Sequence, residues 1–407
     1  MNNKIVVGIN LGDYGSTGSI MRNCLEYAHE NGDYDYLVIV PHSRGKSNTF
    51  GFKDKPVSFA YNLFVFRILK IHYWKADGFF DSLHTKRIIR KIKGLKKKYN
   101  SIIIHLHNIH HAYIDFRLLF RFFSKNKNIK IFYTLHDKWI LTGGCYCCSY
   151  CKCNEWKKEC SKVLRCPQGF DSKRPGLHKN YLIKKKYLSL VKDQITLIPV
   201  SYWLARDLQS TYLKSFKTIV IHGECSIFPC TNIDFELRNK LKIKENDNVV
   251  ISISPHWSKE KGSEFVIPLS KLLPDGFKLI IIGCGGPFER DNIIHIESVE
   301  NNLLPNYFSI SDCFASLTQE DNLPLVLMES QICGVPVVGF GHGGTPEEIN
   351  EQSGIMVGTD NDIYKLAKTI IDVVLNKRFS RENIMHNGNR FRKYEHAKKV
   401  YELYEKV

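Results

Sequence analysis

The chain has 407 residues, too many for one ordinary hydrophobic core, so two domains are expected. Hydrophobic residues make up 43% and charged residues 24%, a balance that excludes a disordered chain. The formal net charge of +17, from 58 Lys and Arg against 41 Asp and Glu, calls for an anionic partner: a phosphorylated ligand, a nucleic acid or an acidic membrane face.

The opening MNNKIVVGINLGDYG has an apolar run too short for a secretion signal, interrupted by Asp13, so a cytoplasmic address is expected. KIVVGIN (4–10) reads as a strand, STGSIMRNCLEYAHENG (16–32) as a helix ended by Gly32, and YLVIV (36–40) as the next strand. The connecting GDYGSTGSI (12–20) fails the G-x-G-x-x-G spacing and is by itself a weak phosphate-loop signal. YNLFVFRILKIHYW (61–74) is short and carries Arg67 and Lys70, which excludes a spanning helix.

TKRIIRKIKGLKKKY (85–99) sets Ile88, Ile89, Ile92 and Leu95 at helical spacing among Lys and Arg residues. An amphipathic helix packed on a sheet explains it, and its basic face suits anionic lipid. No aromatic residues interleave with the charges, so a nucleic-acid platform is not expected. The strand SIIIHL (101–106) runs into HLHNIHH (105–111), whose four histidines invite a metal reading but lack a carboxylate at ligand spacing. IKIFYTL (129–135) ends in TLHDKW (134–139); His136 and Asp137 are candidate acceptor or sugar contacts, and Asp137 equally suits a helix cap.

Seven of the thirteen cysteines fall within GGCYCCSYCKCNEWKKECSKVLRCP (143–167). In a reducing compartment such a cluster reads as metal-binding rather than disulfide-bonded. Cys148-x2-Cys151 has good ligand spacing and Cys160-x5-Cys166 is looser; a set of free thiols in an insertion is the other reading. The remaining six read as small buried hydrophobes. ITLIPV (195–200) completes the strands of the first half.

The alternation restarts with NVVISIS (248–254), FKLIIIGCG (277–285), IIHIES (293–298), DCFASL (312–317) and VPVVGF (335–340), with a helix over 261–273. The fold class is therefore α/β, with two doubly wound parallel sheets. Domains are expected at 1–200, with the Cys-rich insertion 143–167, and at 236–380, joined by a linker over 201–235. A helical segment, 381–407, is expected to pack back on the first domain.

In EDNLPLVLMESQICGVPVVGF (320–340), Pro324 suits the first turn of a helix and Gly334 the residue past its end, giving a helix over 324–333. Its N-terminus, with Leu325 in the first turn, offers free N–H groups and a positive dipole end to a phosphate. Asp321 lies in the loop before it and Glu329 one to two turns inside. Carboxylates accept strong hydrogen bonds from sugar hydroxyls, so the pair suits a nucleotide-sugar; a cap at Asp321 and a solvated Glu329 is the plainer reading. GHGGTPEEI (341–349) then places Gly343 and Gly344 at a tight turn after the next strand.

Here the sequence resembles the E-x7-E segment and GGxPE turn of retaining GT-B glycosyltransferases of family 4, the group 1 transferases, bacterial polysaccharide branch. Asp321 stands where the family has Glu. The resemblance implies that Glu329 holds the donor ribose and Asp321 the transferred sugar. KEKGSEF (259–265) is similar to the family's R-x4-KG segment, which gives Lys261 the donor diphosphate and puts His256 where an arginine is expected. Gly15 and Gly18 resemble the glycine turn of the N-terminal domain. HLHNIH is similar to a signature that points His107 at the donor sugar and leaves His105 structural. Cys145, Cys151, Cys160 and Cys166 resemble spaced cysteines of this branch and form the candidate zinc set. His107, Asp321 and Lys261 are then the candidate catalytic residues, and Gly15, Gly18, His256, Lys261, Leu325, Glu329, Gly343 and Gly344 the candidate donor-binding ones. The implied fold is GT-B, two Rossmann-like domains facing across a cleft. The implied reaction is retaining hexosyl transfer from a nucleotide-diphosphate-sugar to a glycan or lipid-linked glycan in surface polysaccharide biosynthesis. No metal is needed for that step, a structural zinc is a candidate, and the protein would sit peripherally on the inner membrane face, without nucleic acid. Two other readings are a sugar-nucleotide epimerase or hydrolase on the same fold, and a zinc and nucleic-acid-binding protein; the ordered motif set argues against the latter.

Overall fold

The computed structural model describes residues 3–41, 43, 48–51, 82–110, 113–161, 177–229 and 232–407. The stretch 61–74, His111 and Cys166 lie outside the described residues. The chain divides into two compact units, one made of Met1–His222 with His396–Val407 and the other of Gly223–Glu395.

In the first unit, strands β1 (Lys4–Ile9), β2 (Tyr34–Val40), β3 (Thr49–Gly51), β4 (Ser101–Leu106), β5 (Lys130–Leu135), β6 (Ile195–Pro199) and β7 (Lys217–Thr218) form one sheet in the order β3-β2-β1-β4-β5-β6-β7. Every pairing is parallel. KIVVGI and SIIIHL are near-continuous apolar runs because helices cover both faces of such a sheet. Among the described residues these helices are α1 (Gly15–Asn31), α2 (Ser82–Leu95), α3 (Phe116–Ser124), α4 (Leu177–Ser189) and α5 (Tyr202–Leu208). Helix α2 buries Thr85, Ile88 and Ile92 and leaves Lys86, Arg87, Arg90, Lys91 and Lys93 exposed. Two of the starts are capped: Asp115 accepts from Leu118 N–H at 3.2 Å, and Ser201 from Leu204 N–H at 3.1 Å. Such caps contribute about 1 kcal/mol each.

The second unit repeats the plan. Strands β8 (Asn248–His256), β9 (Phe277–Cys284), β10 (Ile293–Ile296), β11 (Cys313–Ser316), β12 (Val337–Gly339) and β13 (Gly354–Met356) pair in parallel in the order β10-β9-β8-β11-β12-β13. Alternate residues of the central strands feed two cores: Val250, Leu279 and Ile281 enter one, and Val249, Ile251, Ile280 and Ile282 the other. Its helices are α6 (Phe235–Lys240), α7 (Ser263–Leu272), α8 (Leu304–Ser309), α9 (Leu325–Ile332), α10 (Ile363–Leu375) and α11 (Arg381–Gly388). Helix α12 (Glu395–Tyr404) then returns to the first unit, where Tyr404 packs on Tyr34, Phe132 and His105.

Residues 201–222, within the stretch expected as a linker, build α5 and β7 of the first unit, and the crossing falls at 222/223. Within the expected C-terminal segment 381–407, α11 belongs to the second unit and residues 396–407 to the first.

Candidate functional site

Both sheets reverse their strand order beside the first strand of the unit, between β1 and β4 and between β8 and β11. Loops leaving the carboxyl ends of strands at such a reversal bound the crevice where doubly wound folds bind ligands. The sequence motifs fall on these loops.

In the second unit the loop after β8 carries Lys261 and Gly262. Gly262 has φ +84°, and a Cβ there would stand 2.1 Å from the Leu317 carbonyl oxygen, so only glycine fits. The loop after β11 is stitched to it: Gln319 N–H donates to the Glu260 carbonyl at 2.8 Å, and the Gln319 side chain to the Lys259 carbonyl at 2.8 Å. This brings Lys261 Nζ to 2.5 Å from Asp321 Oδ2. The turn after β12 closes on the same point. Gly343, at φ +63°, would place a Cβ 2.0 Å from the Asp321 carbonyl oxygen, and Gly344 N–H donates to that oxygen at 3.0 Å. Three loops therefore converge on Asp321.

Helix α9 starts at Leu325 behind Pro324, which gives no side-chain cap, so the first-turn N–H groups keep their capacity for an anion. Glu329 lies one turn inside, half-buried, and burial pushes its carboxyl up to about 7. His256 ends β8, exposed, with Nδ1 3.4 Å from Cys284 Sγ at the end of β9.

Glu348 was not singled out from the sequence, where it reads as one more acid at a helix start. It is fully buried, and neither carboxyl oxygen has a hydrogen-bond partner among the described residues. Burial, with Asp321 nearby, raises it well above the carboxylate range. The Arg390 guanidinium donates to the Glu348 main-chain oxygen at 2.6 Å rather than to its carboxyl.

In the first unit, Asn10 joins the two loops at the reversal. Its Oδ1 accepts from Asn108 N–H at 3.0 Å, and its Nδ2 donates to the Gly12 carbonyl at 2.8 Å and to Thr17 Oγ1 at 3.2 Å. A lone asparagine after a strand carries no sequence signal, so it too was missed. Gly15 opens α1, and Gly18 packs against the main chain of Gly12 and Asp13. His107 Nδ1 lies 3.0 Å from His136 Nε2, which brings together the ends of β4 and β5. A second link joins the same loops, His110 Nε2 to Asp137 Oδ2 at 3.1 Å. Asp137 also accepts from Trp139 N–H at 2.8 Å, as a cap would. Burial would raise the Asp137 carboxyl, but His110 and the Trp139 N–H hold it below the usual range. Burial lowers His105 and His107 far below the imidazole range and His136 to about 3, so all three are uncharged.

The cysteine-rich stretch is anchored by two buried lysines. Lys138 Nζ lies 2.8 Å from Asp207 Oδ2, donates to Ser149 Oγ at 2.7 Å and sits 3.9 Å over the Trp203 ring. Lys184 Nζ donates to the carbonyls of Trp139 at 2.6 Å and Thr142 at 3.0 Å. Cys145, Cys148 and Cys160 are buried and Cys151 half-buried; Cys160 Sγ accepts from Gly143 N–H at 3.2 Å. Among the described residues no three His, Cys, Asp or Glu side chains stand so as to hold a metal ion, and Cys166 lies outside them.

Residues 234–391, which contain Lys261, Asp321, Glu329 and the Gly343–Gly344 turn, match the family model of glycosyl transferases group 1. The second unit thus carries the family's match, over residues 234–391. The chain is similar to the putative colanic acid biosynthesis glycosyl transferase WcaC of Escherichia coli (strain K12), 23% identical over 280 residues. That alignment takes in 66% of each chain, just under two thirds of the relative's length. Among solved structures, sucrose-phosphate synthase from Thermosynechococcus elongatus superposes with a TM-score of 0.68 at 14% identity, covering 99% of this chain and 98% of that one. Anabaena HepE in complex with UDP and glucose gives 0.60 at 14% identity, covering 99% and 100%. These likenesses show a GT-B fold.

Proposed function

We propose that this protein is a group 1 glycosyltransferase that moves a hexose, with retention of anomeric configuration, from a nucleotide-diphosphate-sugar to a glycan or lipid-linked glycan of a bacterial surface polysaccharide. The observation that carries the proposal is the convergence of Lys261, Asp321 and the start of α9 at one strand-order reversal, with Glu329 one turn inside the helix. The diphosphate takes the N-terminus of α9, the main chain at Leu325 and the Gly343–Gly344 turn, and it competes with Asp321 for the Lys261 ammonium. That exchange frees the Asp321 carboxylate for a hydroxyl of the transferred sugar, while Glu329 accepts from the ribose hydroxyls. As the glycosidic bond breaks, Lys261 and the helix dipole offset the charge growing on the leaving diphosphate. His256 lies at the end of β8, and in the first unit Gly15 and Gly18 let the main chain come close to a donor. His107 turns to the sugar.

A glycan acceptor agrees with the colanic acid relative, and a nucleoside diphosphate donor with the UDP held by Anabaena HepE. No helix among the described residues is long and apolar enough to cross a membrane. The exposed basic face of α2 suits peripheral contact with anionic lipid, and salt-sensitive cosedimentation with acidic vesicles, lost when Lys86, Arg87, Arg90 and Lys91 are changed to Gln, tests it.

The donor is tested by thermal shift with UDP, GDP, ADP, CMP and their common sugar conjugates, on wild type and Glu329→Ala. Stabilisation by one diphosphate family, lost in the variant, is expected. A folded protein that responds to no nucleotide overturns the reading. Donor breakdown without an acceptor would make the protein a hydrolase, and a product of inverted anomeric configuration by NMR would remove the retention.

A further inference from the structure

His105 is a fully buried polar side chain with both ring nitrogens engaged. Nε2 lies 2.8 Å from Thr134 Oγ1 on β5, and Nδ1 lies 2.6 Å from the hydroxyl of Tyr404, the last residue of α12. Burial raises the Tyr404 hydroxyl well above its ordinary range, so it keeps a proton that it can donate to Nδ1. With that donation the imidazole proton sits on Nε2 and is donated to Thr134. The two partners come from elements far apart in the chain and select one tautomer and one ring orientation.

His107 follows two positions later at the end of the same strand, so its side chain leaves on the same face. The His105 and His107 rings lie 4.3 Å apart, and the His107 and His136 rings stack at 5.3 Å. His107 is therefore held between two imidazoles. Its Nδ1 is engaged with His136, and its Nε2 is buried with no partner among the described residues. A buried imidazole nitrogen left without a partner costs desolvation free energy, which a sugar hydroxyl reaching it would recover.

We propose that Tyr404 is a positioning residue for His107: its hydroxyl sets the tautomer and orientation of His105, whose ring backs His107 and fixes how Nε2 is presented to the sugar. The proposal rests on the reading of His107 as a sugar-facing group. Tyr404 touches no substrate; it acts through His105. The C-terminal helix thereby becomes part of the reactive apparatus of the first unit, although it is the last element of the chain.

The test is 15N NMR of the full chain labelled at histidine, on wild type, Tyr404→Phe and the control Tyr401→Phe. Tyr401 lies on the same helix and donates to the Asn31 carbonyl at 3.3 Å, away from the histidines. Wild type is expected to show His105 as the neutral Nε2–H tautomer. Tyr404→Phe is expected to erase that signature and move the His107 resonances, and Tyr401→Phe to leave both in place. In transfer assays Tyr404→Phe is expected to lower kcat about ten- to hundredfold with donor KM nearly unchanged, as a misplaced reacting group would. If Tyr404→Phe does not fold, Thr134→Val removes the opposite hydrogen bond and is expected to give the same two changes. If His107→Ala abolishes transfer while a folded Tyr404→Phe keeps the wild-type His107 spectrum and kcat, the positioning role is overturned and the sugar-facing role stands. If His107→Ala transfers normally, the sugar-facing role fails and the proposal with it.

Discussion

A carboxyl group with no exposure and no hydrogen-bond partner, as at Glu348, is more stable protonated than ionised. The folded protein keeps a proton that the unfolded chain releases near pH 4, so its stability is fullest in acid and falls as pH rises toward the folded value. Glu348→Met fills nearly the same volume without the polar atoms. It is expected to raise unfolding free energy by about 1–3 kcal/mol at pH 8 and by less at pH 5, in urea titrations at both pH values. Glu329 makes a different prediction, because burial pushes its carboxyl up to about 7 and the proposed ribose contact needs it ionised. Nucleotide affinity should fall as pH drops through 7, about tenfold between pH 8 and pH 6. Glu329→Gln should bind weakly at both, and a wild-type affinity flat across this range would remove the ribose role from Glu329. Neither property is legible in the sequence: whether an acid is solvated, capped or entombed depends on what folds over it.

At the scale of elements, the long apolar runs announce β1, β4, β5, β8 and β9 because a parallel strand buried on both faces must be apolar throughout. Strands β3, β7 and β13 have two or three residues each and leave no periodicity to read. Helix α9 was legible from Pro324 and Gly334, and it runs from Leu325 to Ile332. What its surroundings do was not legible: Lys261 and Asp321 lie 60 positions apart and meet only because β8 and β11 are neighbours. The loop holding Lys261 depends on Gly262, and Gly262→Ala forces a Cβ against Leu317 at an unfavourable φ. It should cost about 2–4 kcal/mol by denaturant titration and reduce nucleotide affinity as well. The cysteine-rich stretch owes its base to Lys138 and Lys184 rather than to its cysteines alone. Lys184→Met leaves two main-chain carbonyls without their donor. It should lower stability by about 2–4 kcal/mol and speed proteolytic cleavage within 143–161; unchanged cleavage would mean the anchoring lies elsewhere.

At the scale of the molecule, two sheets share one strand-order plan, and each offers one reversal where loops converge. The two-domain reading followed from length and from the restart of the strand pattern near residue 248. A return of the C-terminal segment to the first domain was expected, but that α5 and β7 stay with the first unit and α11 with the second was not legible, since short amphipathic segments carry no mark of the core they join. Removing residues 396–407 takes Tyr404 from Tyr34, Phe132 and His105. Calorimetry of that truncation should show a weakened transition for the first unit and an unchanged one for the second.

The same return of the chain bears on synthesis. Residues 1–222 leave the ribosome before α12, and until that helix emerges His105 lacks its Tyr404 partner. At ordinary elongation rates the intervening 223–395 takes about 10–35 s to make, long compared with the folding of most single domains. Through that interval a buried histidine and the aromatic side chains around it wait uncovered. Of the two units, the one translated earlier is thus completed later, and chaperones of the nascent chain would meet it in its unfinished form.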